Sequence, residues 1–108
     1  MPDVLSTVQA TFLSIDSQYN LLRAVCSTQK QKDDLGNQYG EAQEAYLACI
    51  GKVLRDDDPE VAALNFQLKA ANAKVAQAAG GMGNMSKVID DITTAVSLGA
   101  LLVGKIPG

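Results

Sequence analysis

The clearest hydrophobic pattern lies in the second half of the chain, between an acidic run and a glycine-rich stretch. Apolar side chains recur there at alternating intervals of three and four residues, at Val61, Leu64, Leu68, Ala71, Val75 and Ala78. This is the spacing of a helix that packs lengthwise against a partner helix. We therefore predict a helix over 59–79 and assign these residues to the seam of a helical hairpin.

The residues Asp58 and Pro59 mark the start of this helix. An aspartate caps the free N–H groups of a first helical turn, and proline at the first helical position loses no hydrogen bond. A calcium site is the alternative interpretation of the carboxylates in "RDDDPE". The run lacks the alternating oxygen ligands and the central glycine of a calcium loop. We therefore predict a turn at Asp58 and Pro59, and no metal site.

Three further segments have helical periodicity, at about 3–33, 40–55 and 84–104. The chain is therefore predicted to be all-α, with a single domain over 1–108. If the chain reverses direction at Asp58, two glycine-rich stretches, one in each arm, fall at the same level of the resulting hairpin. We expect an antiparallel helical hairpin that is either continuous or broken at Gly36–Gly40 and Gly80–Gly83 into a four-helix arrangement.

The path of the first arm depends on Cys26 and Cys49. A tight reversal between them would place the thiols face to face and permit a disulfide, which also requires an oxidising compartment. A continuous arm would separate them by about 35 Å. Both residues fall on apolar stripes, so a pair of small buried side chains is the other interpretation.

The most apolar stretch of the sequence is "TTAVSLGALLVGKI", near the C-terminus. It is shorter than the about 20 residues that span a bilayer. Because a hairpin covers only one face of such a helix, we predict that the other face is an interface at Leu98, Leu101, Leu102 and Ile106. The expected partner is a second copy or another helical protein, and contact with a membrane surface is a less favoured alternative. On this hypothesis, Leu102→Asp leaves the chain folded but unable to assemble.

Composition and charge exclude several classes of function. The net charge is −3, the basic residues form no stripe, and histidine is absent. Nucleic-acid binding and histidine-dependent catalysis are therefore not expected. The stretch "GGMGNMS" lacks the lysine of a phosphate-binding loop. We expect a protein with no enzymatic activity and no cofactor. The N-terminus does not have the pattern of a Sec signal peptide, which leaves the cytoplasm or export by a signal-independent route.

Residues 58–96 resemble the needle subunits of type III secretion systems, which are small helical hairpins with an Asp–Pro turn. Asp58 and Pro59 stand at the matching turn, and the stretch from Lys87 to Ile92 ("KVIDDI") matches the lead into the apolar C-terminal helix. The resemblance implies a structural subunit that polymerises into a secretion filament. The stretch "GGMG" and the N-terminal half depart from that pattern. The alternative is a soluble four-helix binding module (a secretion chaperone, an adaptor or a toxin-neutralising protein) whose C-terminal helix closes its own core.

Overall fold

The structure, a computed structural model, describes residues 3–50, 58–81 and 84–105. These residues form four α-helices: α1 (Asp3–Val25), α2 (Gln29–Ile50), α3 (Pro59–Ala76) and α4 (Met85–Gly104). A short 3-10 turn at Ala78–Gly81 follows α3. No strand occurs among the described residues, so the prediction of an all-α fold is confirmed in its four-helix form. Gly83, part of the second predicted break, lies outside the described residues.

The helices form two antiparallel hairpins, α1 with α2 and α3 with α4. The side-chain hydrogen bonds between α1 and α2 show that the two helices are antiparallel, because residues later in α1 bond to residues earlier in α2. Gln9 donates to the hydroxyl of Tyr46 at 3.2 Å, while Asp16, further along α1, accepts from Tyr39, which comes earlier in α2. The extended two-armed hairpin centred on Asp58 is therefore wrong, because each arm folds back on itself.

The two hairpins stand side by side, with α1 beside α3 and α2 beside α4. The hydrogen-bond partners of α1 advance together with those of α3: Thr7 is bonded to Asn72 and Gln18 to the carbonyl of Val75. Helices α1 and α3 are therefore parallel. Within the described residues α2 and α3 do not contact each other, so they occupy diagonal positions in the bundle.

The break in the first half lies at Cys26–Thr28, and the predicted break at Gly36–Gly40 is wrong because both glycines lie inside α2. The new helix is started by a cap at Thr28. The Thr28 hydroxyl oxygen accepts the backbone N–H of Gln31 at 3.1 Å, and the Gln31 side chain accepts the N–H of Ser27 at 2.8 Å. This reciprocal arrangement resembles a capping box, which satisfies two N–H groups that a first turn leaves open.

Helix α3 begins where the sequence pattern placed its start. The Asp58 carboxylate accepts the N–H groups of Glu60 and Val61 at 2.9 and 3.2 Å, and Pro59 occupies the first turn. Of the seam residues on this helix and the turn that follows it, five are buried, and Leu64 packs half-buried against the same core. All four helices contribute fully buried side chains, among them Val4, Ile15, Leu22, Leu35, Cys49, Leu68, Val75, Ile92 and Leu102.

Candidate protein-binding surface

Helix α4 lies largely inside the bundle, and this changes the predicted interface. Leu102 is 0% exposed and belongs to the core of its own chain, whereas its neighbour Leu101 is 57% exposed. Leu98 is half-buried against the core. Ile106 lies outside the described residues. The assignment of Leu102 to an exposed interface is therefore wrong. The physical reason is that α4 packs against both α2 and α3. In the predicted hairpin, a neighbouring helix covered only one face of α4.

Burial of Leu102 reverses the expected effect of Leu102→Asp. A carboxylate at this position would lie among apolar side chains with no partner for its charge, and burial of an unpaired charge is strongly destabilising. The variant is therefore expected to lose its fold. The outward positions of the same helix are mostly polar: Asp90, Thr94 and Ser97 are exposed. Helix α4 thus has one apolar face, and the chain covers that face itself.

Helix α3 carries a second apolar stripe on the side that faces away from the core. Its members are Ala63, Phe66, Ala70 and Ala73, at intervals of three, four and three residues. We call these four residues the α3 stripe. All four are exposed, and Phe66 at 76% is the most exposed of the large apolar side chains in the described part of the chain.

The α3 stripe differs from scattered surface apolar residues in its regularity. Isolated exposed leucines are ordinary on folded proteins. Leu13 and Leu21 on α1 are of this kind, because Ser17 lies between them on the same side of the helix. The α3 stripe instead keeps heptad spacing for more than two turns and contains no charge. Leaving most of a phenylalanine side chain in water forgoes part of the about 1.5–3 kcal/mol that its burial contributes.

The α3 stripe was not predicted from the sequence, because the inward seam already accounts for the helical periodicity of this segment. Both patterns have the same period on the same helix, in registers that place them on opposite sides. A one-sided surface helix carries polar residues opposite its apolar face. The exposed alanines and phenylalanine of α3 depart from that rule. The sequence alone therefore shows more apolar residues opposite the seam than a one-sided helix carries.

Polar side chains between α1 and α3 form a local hydrogen-bond network. The hydroxyl of Thr11 donates to Asn72 Oδ1 at 2.7 Å, and Asn72 Nδ2 donates to the carbonyl of Thr7 at 3.0 Å. Gln18 Nε2 donates to the carbonyl of Val75 at 2.9 Å. Because these groups do not titrate near neutral pH and bond to one another, their role is to fix the position of α1 on α3.

An aromatic cluster joins α1 to α2 and contains a perturbed tyrosine. The rings of Tyr19 and Tyr39 lie 4.6 Å apart in an edge-on arrangement, and Phe12 lies 5.6 Å from the ring of Tyr39. The hydroxyl of Tyr39 donates to a carboxylate oxygen of Asp16. That hydrogen bond, followed by desolvation and the negative charge of Asp16, raises the pKa of Tyr39. A phenol held protonated in this way serves as a structural hydrogen-bond donor.

The cysteines do not form the disulfide considered from the sequence. Cys26 follows the end of α1 and Cys49 lies near the end of α2, so the length of α2 separates them by about 33 Å. The Cys26 thiol donates to the carbonyl of Leu22 at 3.3 Å, and Cys49 is buried in the core. Both positions agree with small apolar side chains rather than with a cross-link.

A groove with a volume of about 460 Å³ lies where α3 leads into α4. Its lining includes Lys74, Lys87 and Asp91, and the last two form an ion pair at 3.0 Å, as expected of residues four apart on a helix. Across the ranges 3–50, 58–81 and 84–105, no group of three or more histidine, cysteine or acidic side chains is placed to hold a metal ion. In the same ranges, no helix combines the length and apolarity needed to cross a membrane.

No protein family, curated protein or solved structure matches the chain. Function is therefore inferred from the surfaces of the four-helix bundle alone. Among those surfaces, the α3 stripe combines a regular spacing, an absence of charge and an exposed aromatic side chain.

Proposed function

We propose that the chain is a non-enzymatic binding module, a four-helix bundle that acts by docking onto another protein chain through the α3 stripe. The observation that carries the proposal is Phe66, which is 76% exposed at the centre of a heptad-spaced row of alanines. Alanines permit the close approach of a partner helix, and an aromatic side chain is the typical anchor of a protein–protein contact. The proposal covers both self-association and docking to a different helical protein.

The burial of α4 supports a module over a filament subunit of the secretion type. A needle-like subunit would use α4 to pack between copies. In this chain Leu102, Val96 and Ile92 pack into the core of a single bundle. A C-terminal helix that closes its own core is what the binding-module alternative requires. The proposed contact surface therefore moves from α4 to α3.

Helix propensity alone accounts for the alanines but not for Phe66. Alanine is the best helix former, so exposed alanines stabilise α3 without any partner. Phenylalanine is a poorer helix former, and an exposed phenylalanine gains little from burial. A role in contact explains both the residue type at position 66 and its place in register with Ala63, Ala70 and Ala73.

The experiment that tests the proposed function compares two side-chain truncations, Phe66→Ala and Leu101→Ala, in living cells. The tagged chain is expressed in its source cells to a high micromolar level and cross-linked in the intact cells, so that weak contacts survive dilution, and the mass of the species that contains it is then measured in the extract. We expect a mass above that of the monomer for the wild type, a shift to the monomer for Phe66→Ala, and no shift for Leu101→Ala. Leu101 is the matched control because it is also an exposed large apolar side chain but lies on α4.

Two results would overturn the proposed function. One is a wild-type chain that occurs only at monomer mass in the extract. The other is an equal response of the Phe66→Ala and Leu101→Ala variants, because the α3 stripe would then have no special role.

A further inference from the structure

From the α3 stripe we infer that the docked partner is a second copy of this chain, with the two α3 helices antiparallel and stripe against stripe. This inference rests on the proposed function and specifies its partner. It is carried by two observations: the order of large and small residues in the stripe and the positions of charge at its two ends.

The order of side chains in the α3 stripe makes it complementary to itself. A two-fold interface uses the same surface on both copies, so that surface must supply both the projection and the recess. With the two-fold axis at the level of Leu68, Phe66 lies over Ala70 of the second copy and Ala63 lies over Ala73. Every layer then contains at least one alanine, and each phenylalanine meets a small residue. A parallel pair would instead stack Phe66 on Phe66 of the second copy, and the two bulky rings would hold the facing alanines apart.

The charged residues at the two ends of the α3 stripe favour the same antiparallel direction. Glu60 lies in the first turn of α3 and Lys74 in the last turn. Both lie toward α4: the Glu60 carboxylate is 3.3 Å from Lys105 Nζ, and Lys74 lines the groove that contains Asp91. An antiparallel pair places Glu60 near Lys74 of the second copy at both ends, whereas a parallel pair sets each of these residues level with its own counterpart and gains neither attraction. Exposed pairs contribute little affinity, so their effect is on orientation.

The size of the surface predicts a weak dimer. Helix α3 has 18 residues, so the contact strip is about 27 Å long and about 10 Å wide. Such a strip falls at or below the low end of stable interfaces, at which contacts are transient. We therefore expect monomers in dilute solution and dimers as the concentration rises into the high micromolar range.

The first test is sedimentation equilibrium of the purified full chain from micromolar to millimolar concentration, in reducing buffer so that Cys26 cannot cross-link copies. We expect a monomer–dimer equilibrium for the wild type. Phe66→Ala and Ala70→Glu are expected to weaken the dimer by about tenfold or more, as for central contact residues. Ala100→Glu is the matched control, because Ala100 is also an exposed helical alanine but lies on α4. Circular dichroism of each variant checks that the fold is kept.

The second test addresses direction. Glu60→Lys and Lys74→Glu each replace an attraction by a repulsion in an antiparallel dimer, and each is expected to weaken it in low salt. A one-to-one mixture of the two variants restores both attractions and is expected to associate as the wild type does. In a parallel dimer Glu60 does not meet Lys74 of the second copy, so neither substitution removes an attraction and the single variants would associate as the wild type does.

Several outcomes would overturn the self-association inference. These are a wild type that stays monomeric at millimolar concentration, a dimer that Phe66→Ala and Ala70→Glu leave intact, and an equal effect of Ala100→Glu. Unchanged association of the charge variants would overturn the antiparallel arrangement. A purified monomer that still occurs in a Phe66-dependent complex in cell extract would overturn only the identity of the partner, and the proposed function would stand.

Discussion

Two adjacent leucines on α4 give a direct measure of which side of this helix the bundle covers. Leu102 is 0% exposed and Leu101 is 57% exposed, so Leu→Ala at each position makes the same chemical change in two environments. Truncation of a fully buried leucine removes its burial energy and leaves a cavity, at a cost of about 2–5 kcal/mol. The same change at an exposed site costs less than about 0.5–1 kcal/mol. Against a total stability of about 5–15 kcal/mol for a small domain, only the Leu102 change is severe.

The assay is urea unfolding followed by far-UV circular dichroism, with the wild type and both variants in parallel. We expect Leu102→Ala to lower the unfolding midpoint strongly at an unchanged slope, and to lower the melting temperature by about 8–40 °C, from about 4–8 °C per kcal/mol in a domain of this size. Leu101→Ala should stay close to the wild type. Similar small effects of the two variants would refute the packing of α4 described above. An oligomer that only Leu102→Ala dissociates, with no loss of stability, would restore the original interface hypothesis.

Three further predictions concern the other helices. Asn72→Ala should destabilise the chain by about 1–3 kcal/mol in the same urea assay, because the Thr11 hydroxyl and the Thr7 carbonyl lose a buried partner; a neutral effect would contradict the network. Gly40→Ala should stabilise it by about 0.5–1 kcal/mol, because Gly40 lies inside α2 and nothing stands within 4 Å of an added Cβ; a loss of stability would instead support a break there. Asp16→Asn should lower the pKa of Tyr39 toward its ordinary value, followed by NMR titration of the Tyr39 ring. Since the folded pKa of Tyr39 is raised, the stabilisation from this hydrogen bond is present at neutral pH and is lost as the pH rises through that pKa.

The second half of the chain was the more predictable one because its local signals agree with its packing. Asp58 and Pro59 start α3 by satisfying N–H groups within one turn, and the inward seam has a single period. Where capping residues and hydrophobic periodicity indicate the same helix, the tertiary contacts stabilise that helix and do not change its boundaries. The glycines after Gln77 likewise coincide with a real interruption between α3 and α4.

The first half was mispredicted because two kinds of signal conflicted. Gly36 and Gly40 resemble helix breakers, yet each costs a helix only about 1 kcal/mol, and the flanking helical turns packed on α1 and α4 outweigh that cost. At Gly36 the absence of a side chain is even useful, because an added Cβ would stand 3.3 Å from the hydroxyl of Tyr19. The real break was encoded by Thr28 and Gln31, whose cap uses side chains that also occur in ordinary surface positions.

The interface prediction failed for a different reason. Whether an apolar helix is covered depends on how many neighbours it has, and a sequence does not state that number. Once the break moves to Cys26–Thr28, α2 becomes a second neighbour for α4, and Leu102 is enclosed. The same change leaves α3 with an outward side that no part of the described chain covers, which is why the candidate surface moved to Phe66.

The diagonal placement of α2 and α3 has a consequence for the order in which the bundle assembles. Both antiparallel pairs join helices that are consecutive in the chain, so each closes a short loop at little entropic cost. The parallel pairs must bring together residues such as Thr11 and Asn72, which are 61 positions apart. The two units stand in the same sense, as successive helix pairs of an α-solenoid do, and we expect each to form quickly and their docking to be the slower step. A substitution at Asn72 is therefore expected to act on the late docking step, while a substitution in the aromatic cluster of the first hairpin acts on the early one.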